Sequence, residues 1–190
     1  DGLGFDGHYL WLGRWQNYID KIDTTGNQIG TWSSPGSYSY GMAFDGQNLW
    51  HSDHTNYTIY KLDYNDPTQI LASFNVSWQA TDIDWYNGHL WAIADNAYIY
   101  ELDPTNMNIL NSWPTERPYS AGIAIGGGYL WFSNNARLGW VYKVAGIIGI
   151  KEETKSIVAA KFKPLKVYPN PFRNSVTMLL AVPAGEEVKV

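Results

Sequence analysis

Phe5-Asp6-Gly7-His8-Tyr9-Leu10-Trp11 returns three times along the chain. The later copies are Phe44-Asp45-Gly46-Gln47-Asn48-Leu49-Trp50, Trp85-Tyr86-Asn87-Gly88-His89-Leu90-Trp91 and Ile125-Gly126-Gly127-Gly128-Tyr129-Leu130-Trp131. Successive tryptophans are 39, 41 and 40 residues apart, a period that belongs to repeat architectures. Downstream of each tryptophan stands a second shared run: Tyr18-Ile19-Asp20-Lys21-Ile22-Asp23, Ile59-Tyr60-Lys61-Leu62-Asp63, Ile99-Tyr100-Glu101-Leu102-Asp103 and Val141-Tyr142-Lys143-Val144. A third run, Ile29 to Trp32, Ile70 to Phe74 and Ile109 to Trp113, closes the first three units.

Each unit reads as short strands joined by turn chemistry. The first strand is Gly2 to Phe5, Gly41 to Phe44, Thr81 to Asp84 or Gly122 to Ile125, and it runs into Asp-Gly, Asn-Gly or Gly-Gly. Those dipeptides supply the positive φ angles of tight hairpins. The second strand carries Leu-Trp. Neighbouring residues of a strand point to opposite faces, so two large apolar neighbours require both faces to be covered. The third strand ends at Asp23, Asp63 or Asp103, where a carboxylate can cap the following turn. Helical periodicity is missing from residues 1–144. Four strands every ~40 residues with both faces covered describe a β-propeller blade. The expected fold is therefore all-β, with four four-stranded blades at about 2–40, 41–80, 81–120 and 121–150.

Propeller rings hold roughly four to eight blades. The fourth repeat has at most Gly146 to Ile150 as its outer strand, and the first residues already belong to an innermost strand. An incomplete ring is expected, with three readings: a truncated product, an oligomer that completes the ring through its open blade edges, and a self-contained four-bladed ring.

The pattern Gly-x-x-Phe-Asp-Gly-x-x-Leu-Trp followed by Ile-Tyr-Lys-Leu-Asp resembles the repeat of secreted bacterial propellers of the NHL, lactonase-like and glutaminyl-cyclase-like groups. Such blades recur in sugar lactonases, lyases, cyclases and binding modules, so the resemblance implies an architecture rather than one activity.

Composition divides the chain a second time. Residues 1–144 hold fourteen acidic and six basic side chains and all ten tryptophans, whereas 145–190 hold four acidic and seven basic. The boundary falls near Ala145, with 145–166 read as a linker and 167–190 as a separate segment. There, Val167-Tyr168-Pro169-Asn170-Pro171-Phe172-Arg173-Asn174-Ser175-Val176-Thr177 is similar to the start of the immunoglobulin-like C-terminal sorting domain of proteins exported by type IX secretion. Both prolines fix an extended lead-in. Val176, Met178, Leu180 and Val182 then alternate as one strand face, and Val188-Lys189-Val190 begins another. The resemblance implies an extracellular or cell-surface protein with the type IX machinery as a partner, and a truncated sandwich at this end.

Only 16% of the 190 residues are charged, against roughly 25% in ordinary soluble domains, which fits elements covered on several sides. No run approaches the ~20 apolar residues of a membrane helix. The absence of cysteine excludes disulfides, thiolate metal sites and cysteine nucleophiles. The formal charge of -5 argues against nucleic acid as a partner.

Four histidines, His8, His51, His54 and His89, are the first candidates for chemistry. Strand alternation puts His8 and His89 on the ring face opposite His54, so they do not converge. His51-Ser52-Asp53-His54 has ligand-type residues, but Asp53 aligns with Asp95 and with Asn134 or Asn135 in other blades and reads as a turn residue. The serines of Ser33-Ser34 and Ser37 to Ser39 lack a nucleophile setting. Gly126-Gly127-Gly128 aligns with the hairpins and precedes a strand, which excludes a phosphate loop. Asp82 and Asp84 share one side of an inner strand and could line a channel or hold Ca²⁺, but no other blade repeats them. Asn56-Tyr57-Thr58 and Asn75-Val76-Ser77 match the glycosylation sequon, a pattern that arises by chance in bacterial chains. No catalytic, metal or cofactor residues are assigned.

The remaining candidate is the loop face after the second and fourth strands. It gathers Trp15, His54, Tyr57, Trp78, Arg117, Tyr119 and Arg137 together with Ser34 to Tyr40. Aromatic rings beside short polar groups suit a carbohydrate or peptide ligand. The competing reading packs these rings between blades, where Trp11, Trp50, Trp91 and Trp131 are expected. The functional expectation is a secreted ligand-binding or protein-interaction propeller. A propeller hydrolase, lyase or glutaminyl cyclase with its catalytic blades elsewhere, and a structural repeat of a surface assembly, are the alternatives.

Overall fold

The computed structural model describes residues 2–115, 120–134 and 140–145, with two short strands at 166–168 and 177–179. Blade 1 consists of β1 (Gly2–Phe5), β2 (Tyr9–Arg14), β3 (Tyr18–Asp23) and β4 (Gln28–Ser33). Blade 2 is β5 (Ser39–Phe44), β6 (Leu49–Asp53), β7 (Thr58–Leu62) and β8 (Ile70–Asn75). Blade 3 is β9 (Ala80–Tyr86), β10 (His89–Ala94), β11 (Tyr98–Leu102) and β12 (Ile109–Pro114). Blade 4 contributes β13 (Ser120–Gly126), β14 (Tyr129–Asn134) and β15 (Trp140–Val144). Every blade is an antiparallel meander in chain order, and the described residues contain no helix. The architecture is the expected four-blade propeller. The possible outer strand at 146–150 and the segment Val188–Val190 lie outside the described residues. At the C-terminal end, β16 (Lys166–Tyr168) pairs antiparallel with β17 (Thr177–Leu179), Val167 opposite Met178.

The four repeat tryptophans occupy one register. Trp11 lies opposite Gly4 and Lys21, Trp50 opposite Ala43 and Lys61, Trp91 opposite Asp84 and Glu101, and Trp131 opposite Ala124 and Lys143. Trp11, Trp50 and Trp91 are no more than 2% exposed, and Leu49, Leu90 and Leu130, on the other face of the same strand, are wholly buried. In blades 2 and 3 both sides of the Leu-Trp pair are thus covered, as the pattern requires, while Leu10 and Trp131 are half-buried.

Each of these three indoles meets a ring from its own outer strand: Trp32 at 5.7 Å, Phe74 at 6.1 Å and Trp113 at 5.3 Å. Residues of the next blade close over the other side. Met42, Phe44 and Tyr64 join Trp11, Ile83 and Trp85 join Trp50, and Ile123 and Ile125 join Trp91.

Aspartate chemistry shapes the hairpins of the first two blades. The Asp6 carboxylate accepts the amides of His8 and Tyr9, each at 2.7 Å, and the Trp11 indole N–H at 2.8 Å. Asp45 repeats this with Gln47, Asn48 and Trp50. Blade 3 turns instead on Asn87-Gly88, with φ of 51° and 83°. Tyr86 replaces the aspartate there, and the Trp91 Nε1 is left without an acceptor. Asp23, Asp63 and Asp103 cap their turns as anticipated, accepting the amides of Thr25, Asn65 and Thr105.

Toward the axis, β1 packs on β5, β5 on β9 and β9 on β13. The backbones approach too closely for side chains. A Cβ on Gly41 would stand 2.5 Å from the Ile83 amide nitrogen, with the Asp82 backbone behind it. Overpacking of rigid backbone costs about 1–3 kcal/mol or more. Gly41→Ala should therefore destabilise the protein by at least about 2 kcal/mol in denaturant titration, whereas Gly46→Ala, whose added carbon meets nothing within 4 Å, should cost only its positive-φ strain of roughly 1 kcal/mol.

Candidate functional site

The second-strand and fourth-strand loops of blades 1 and 2 meet along one seam, and the segment 34–38 is tied down there. The Ser34 amide donates to the Asn17 carbonyl at 2.9 Å and the His54 amide to the Tyr38 carbonyl at 3.2 Å. Asp53, 1% exposed, accepts the Ser37 amide at 2.7 Å and also the Thr55 and Asn56 amides and the Asn56 side chain. It is a turn residue, as its alignment with Asp95 indicates. Gly36 passes so near this carboxylate that a Cβ would overlap it.

This scaffold presents a row of rings. Trp15 is 64% exposed, and its ring lies 6.0 Å from that of Tyr38, tilted by 30°. Tyr38 is itself exposed. Its backbone holds His54, whose imidazole stacks on Tyr40 at 4.7 Å. Arg14 borders the row, with its guanidinium 2.8 Å from the Asp20 carboxylate and 5.0 Å over the Tyr18 ring. Tyr57, exposed with φ of 54°, sits at the next turn, and its carbonyl accepts the Val76 amide.

The seam between blades 2 and 3 is filled instead. Trp78 is 7% exposed and stacks on Tyr100 at 4.4 Å, and the Tyr100 hydroxyl accepts the Asn96 side-chain amide. Trp78 therefore packs between blades and offers no free face to a ligand, contrary to its placement on the rim from sequence. Arg117, Tyr119 and Arg137 lie outside the described residues. Of the seven candidates, Trp15, His54 and Tyr57 are placed on the loop face, and Tyr38 and Tyr40 complete the row.

The repeat carries a cation–aromatic contact that sequence reasoning passed over. Lys21, Lys61 and Lys143, directly across the strand pair from their tryptophans, hold Nζ 4.9, 5.1 and 5.2 Å from the indole centroids. Their shared position in the second run was the available signal. Glu101 takes that place in blade 3 and pairs with His89 at 2.6 Å.

At the axis, Asp82 and Asp84 point the same way. Asp82 accepts the Ile123 amide at 3.0 Å and Asp84 the Ile125 amide at 2.6 Å. Two carboxylates at i and i+2 thus satisfy alternate amides on the free edge of β13, which is a structural duty. Burial pushes Asp82 up to about 7 against the pull of the Ile123 and Ile83 amides, and it also raises Asp84. His51, fully buried beside the Tyr60 ring at 6.1 Å, is pulled down to about 4 by desolvation, which the Asp53 charge offsets only in part. Among the described residues no group of three or more ligand-type side chains could hold a metal.

Comparison with known proteins adds a fold relative. No known family and no curated protein matches the sequence. Among solved structures, the glutaminyl cyclase of Myxococcus xanthus superposes with a TM-score of 0.66 at 13% identity, over 76% of this chain and 64% of that one. The likeness shows a shared propeller fold. The match spans less than two thirds of the cyclase.

The two buried titrating groups oppose each other. Between about pH 4 and 7 the folded state keeps a proton on Asp82 that the unfolded chain releases, so stability falls as pH rises. Between about pH 4 and 6.5 the unfolded chain protonates His51 and the folded state does not, so stability rises with pH. In the parent protein these two slopes should offset each other in part, with the raised Asp84 adding to the fall as pH rises. Asp82→Asn should leave a rise, and His51→Phe, which copies Phe132 at the same blade position, should leave a fall, each with a slope of up to about 1.4 kcal/mol per pH unit. Thermal melts at half-unit intervals check both signs.

Proposed function

We propose that this chain is a secreted or cell-surface propeller module that binds a carbohydrate or an extended peptide along the seam between blades 1 and 2. The observation that carries the reading is the Trp15–Tyr38 pair: two large exposed rings with centroids 6.0 Å apart, the Tyr38 loop fixed by Asp53 and tied to the Trp15 turn through Ser34 and Asn17. An exposed indole on a rigid scaffold is a flat apolar platform for a sugar ring or a side chain, obtained at little ordering cost. The Arg14 guanidinium and the hydroxyls of the exposed Ser37 and Tyr38 supply directional polar groups beside it. Tyr57 extends the platform, and Arg117, Tyr119 and Arg137 remain candidate contacts.

Export through the type IX system rests on the string Val167 to Thr177 and its likeness to the start of sorting domains. No helix among the described residues is long and apolar enough to cross a membrane.

The fold relative motivates one enzymatic alternative, glutaminyl cyclisation at the ring axis. Asp82, held near neutrality, is the sort of group that could move a proton there. Against this, its two oxygens are already engaged by the Ile123 and Ile83 amides, and among the described residues the only titratable side chain acting on it is Asp84 of its own strand. Incubation with a peptide bearing N-terminal glutamine should release no ammonia above the uncatalysed rate, and a protein-dependent release abolished by Asp82→Asn would replace the binding reading with the cyclase one.

Glycan and peptide arrays followed by calorimetry test the main proposal. Trp15→Ala and Tyr38→Ala should each weaken the ligand found by about tenfold or more while shifting Tm by less than about 2 °C, as exposed positions do. Full binding by the Trp15→Ala, Tyr38→Ala double variant would overturn it.

A further inference from the structure

The seam between blades 1 and 2 is chemically unlike the other end of the same two blades. Segments 15–18, 34–40 and 54–57 meet there, and none of them contains Asp, Glu, Lys or Arg. They are built from the rings Trp15, Tyr18, Tyr38, Tyr40, His54 and Tyr57, with Gln, Asn, Ser, Thr, Pro and Gly between them. In a chain of formal charge -5 that neutrality is local: the turns at the opposite end of these blades hold Asp6, Asp23, Asp45, Asp63 and Asp66.

The charges that border the seam are already balanced. Arg14 holds Asp20 at 2.8 Å, and Asp20 is 4% exposed. Asp53 is buried under its hydrogen bonds from Ser37, Thr55 and Asn56. Among the described residues of the seam, a ligand carboxylate, sulfate or ammonium therefore meets no unpaired counter-charge to exchange for its hydration.

Main-chain recognition is closed off as well. An extended peptide that adds to a sheet needs a row of unpaired N–H and C=O groups. The rim turns connect β2 to β3 and β6 to β7, and each of these strands is paired on both sides. The loops use their own groups too: the Asn17 amide donates to the Arg14 carbonyl, Ser34 to Asn17, His54 to Tyr38 and Ser37 to Asp53.

Ring surface and neutral side-chain groups are what the seam offers. Trp15 and Tyr38 are 64% and 39% exposed, and their sequence neighbours Gln16 and Ser37 are exposed beside them. A sugar ring matches that combination. One of its faces presents C–H groups to the negative π face of an aromatic ring, while the hydroxyls around its rim both donate and accept hydrogen bonds. Blade 3 marks the end of the row: Asp95 stands where blades 1 and 2 have Trp15 and His54, four residues after the repeat tryptophan.

Granting the binding reading of this seam, on which the ligand class rests, we propose that the ligand is an uncharged oligosaccharide. One sugar stacks its C–H face on Trp15, the chain runs on across Tyr38, and Gln16 and Ser37 take its hydroxyls.

The test is calorimetric titration of the 190-residue chain with neutral hexasaccharides from β-glucan, xylan and mannan, with carboxylated and sulfated oligosaccharides, and with short charged and uncharged peptides. At least one neutral hexasaccharide should bind, and its Kd should change by less than about twofold between about 50 and about 500 mM NaCl, since no ion pair is there to be screened. Trp15→Leu keeps apolar bulk but removes the flat π face, so it should weaken binding about tenfold or more, and Trp15→Tyr should recover most of that loss. Gln16→Ala should weaken it by about two- to tenfold, the range of one neutral hydrogen bond. Melting curves of the three variants should overlay that of the parent, because both positions are exposed. If a peptide or a charged oligosaccharide binds in a Trp15-dependent way and no neutral hexasaccharide does, the ligand class is overturned and the seam stays a binding site. It is also overturned if neutral hexasaccharides bind Trp15→Leu as well as the parent, or if their Kd rises more than about tenfold with salt. Absence of binding by every probe overturns both the ligand class and the binding reading.

Discussion

Burial of one indole per repeat between neighbouring sheets is the interaction on which the rest depends. A four-stranded sheet with Leu on one face and Trp on the other has no stable solution alone, because covering either face leaves the other wet. Stacking identical sheets radially solves both at once: the forward face of one blade, centred on Trp11, Trp50 or Trp91, is closed by the rearward face of the next. Each indole removes about 200 Å² from water, an upper bound of about 5 kcal/mol per interface. The lysine across the strand pair adds to this without being buried. Its ammonium stands about 5 Å from the indole centroid in blades 1, 2 and 4 while the side chain keeps some exposure.

That stacking sets the demands made elsewhere. Wedges packed on a shared axis crowd their inner strands, which explains why glycine stands at Gly2 and Gly41, where a single added carbon would strike the neighbouring backbone. The crowding also leaves inner edges with amides that no strand can pair. Blade 4 resolves this by borrowing carboxylates from blade 3, Asp82 to Ile123 and Asp84 to Ile125. The cost is an aspartate so desolvated that it titrates near neutrality, and the arrangement ties blade-to-blade adhesion to protonation.

Legibility followed from locality. The repeat, the hairpins and the double-faced second strand were readable because each depends on residues close together in the chain, and the Leu49–Trp50 and Leu90–Trp91 pairs are buried as the alternation argument demanded. The burial of His51 was also readable, since it aligns with Leu12, Ala92 and Phe132, though its proximity to Asp53 and His54 drew attention to metal ligation instead. Trp78 was misplaced because its burial depends on Tyr100, a residue of the following blade, and composition does not reveal which seam a loop ring will fall into. The amide-accepting role of Asp82 and Asp84 could not be read at all: it requires knowing that the free edge of β13 lies across from them.

Repetition also shows where to look for function. A position that obeys the blade rule is explained by packing, so the informative positions are those where equivalent seams differ. Between blades 2 and 3, Trp78 lies under Tyr100 and closes the seam; between blades 1 and 2, Tyr38 stands at the corresponding loop end, and Trp15, itself exposed, lies against it. Trp32 and Trp113 pack against the indoles of their own blades, whereas Trp15 stands 64% exposed at the rim. Holding the Tyr38 loop in place uses a buried carboxylate, Asp53, with contacts to Ser37, Thr55 and Asn56, plus a glycine at 36 to let that carboxylate through. A loop fixed this heavily beside two exposed rings is the reason the binding proposal is placed at this seam.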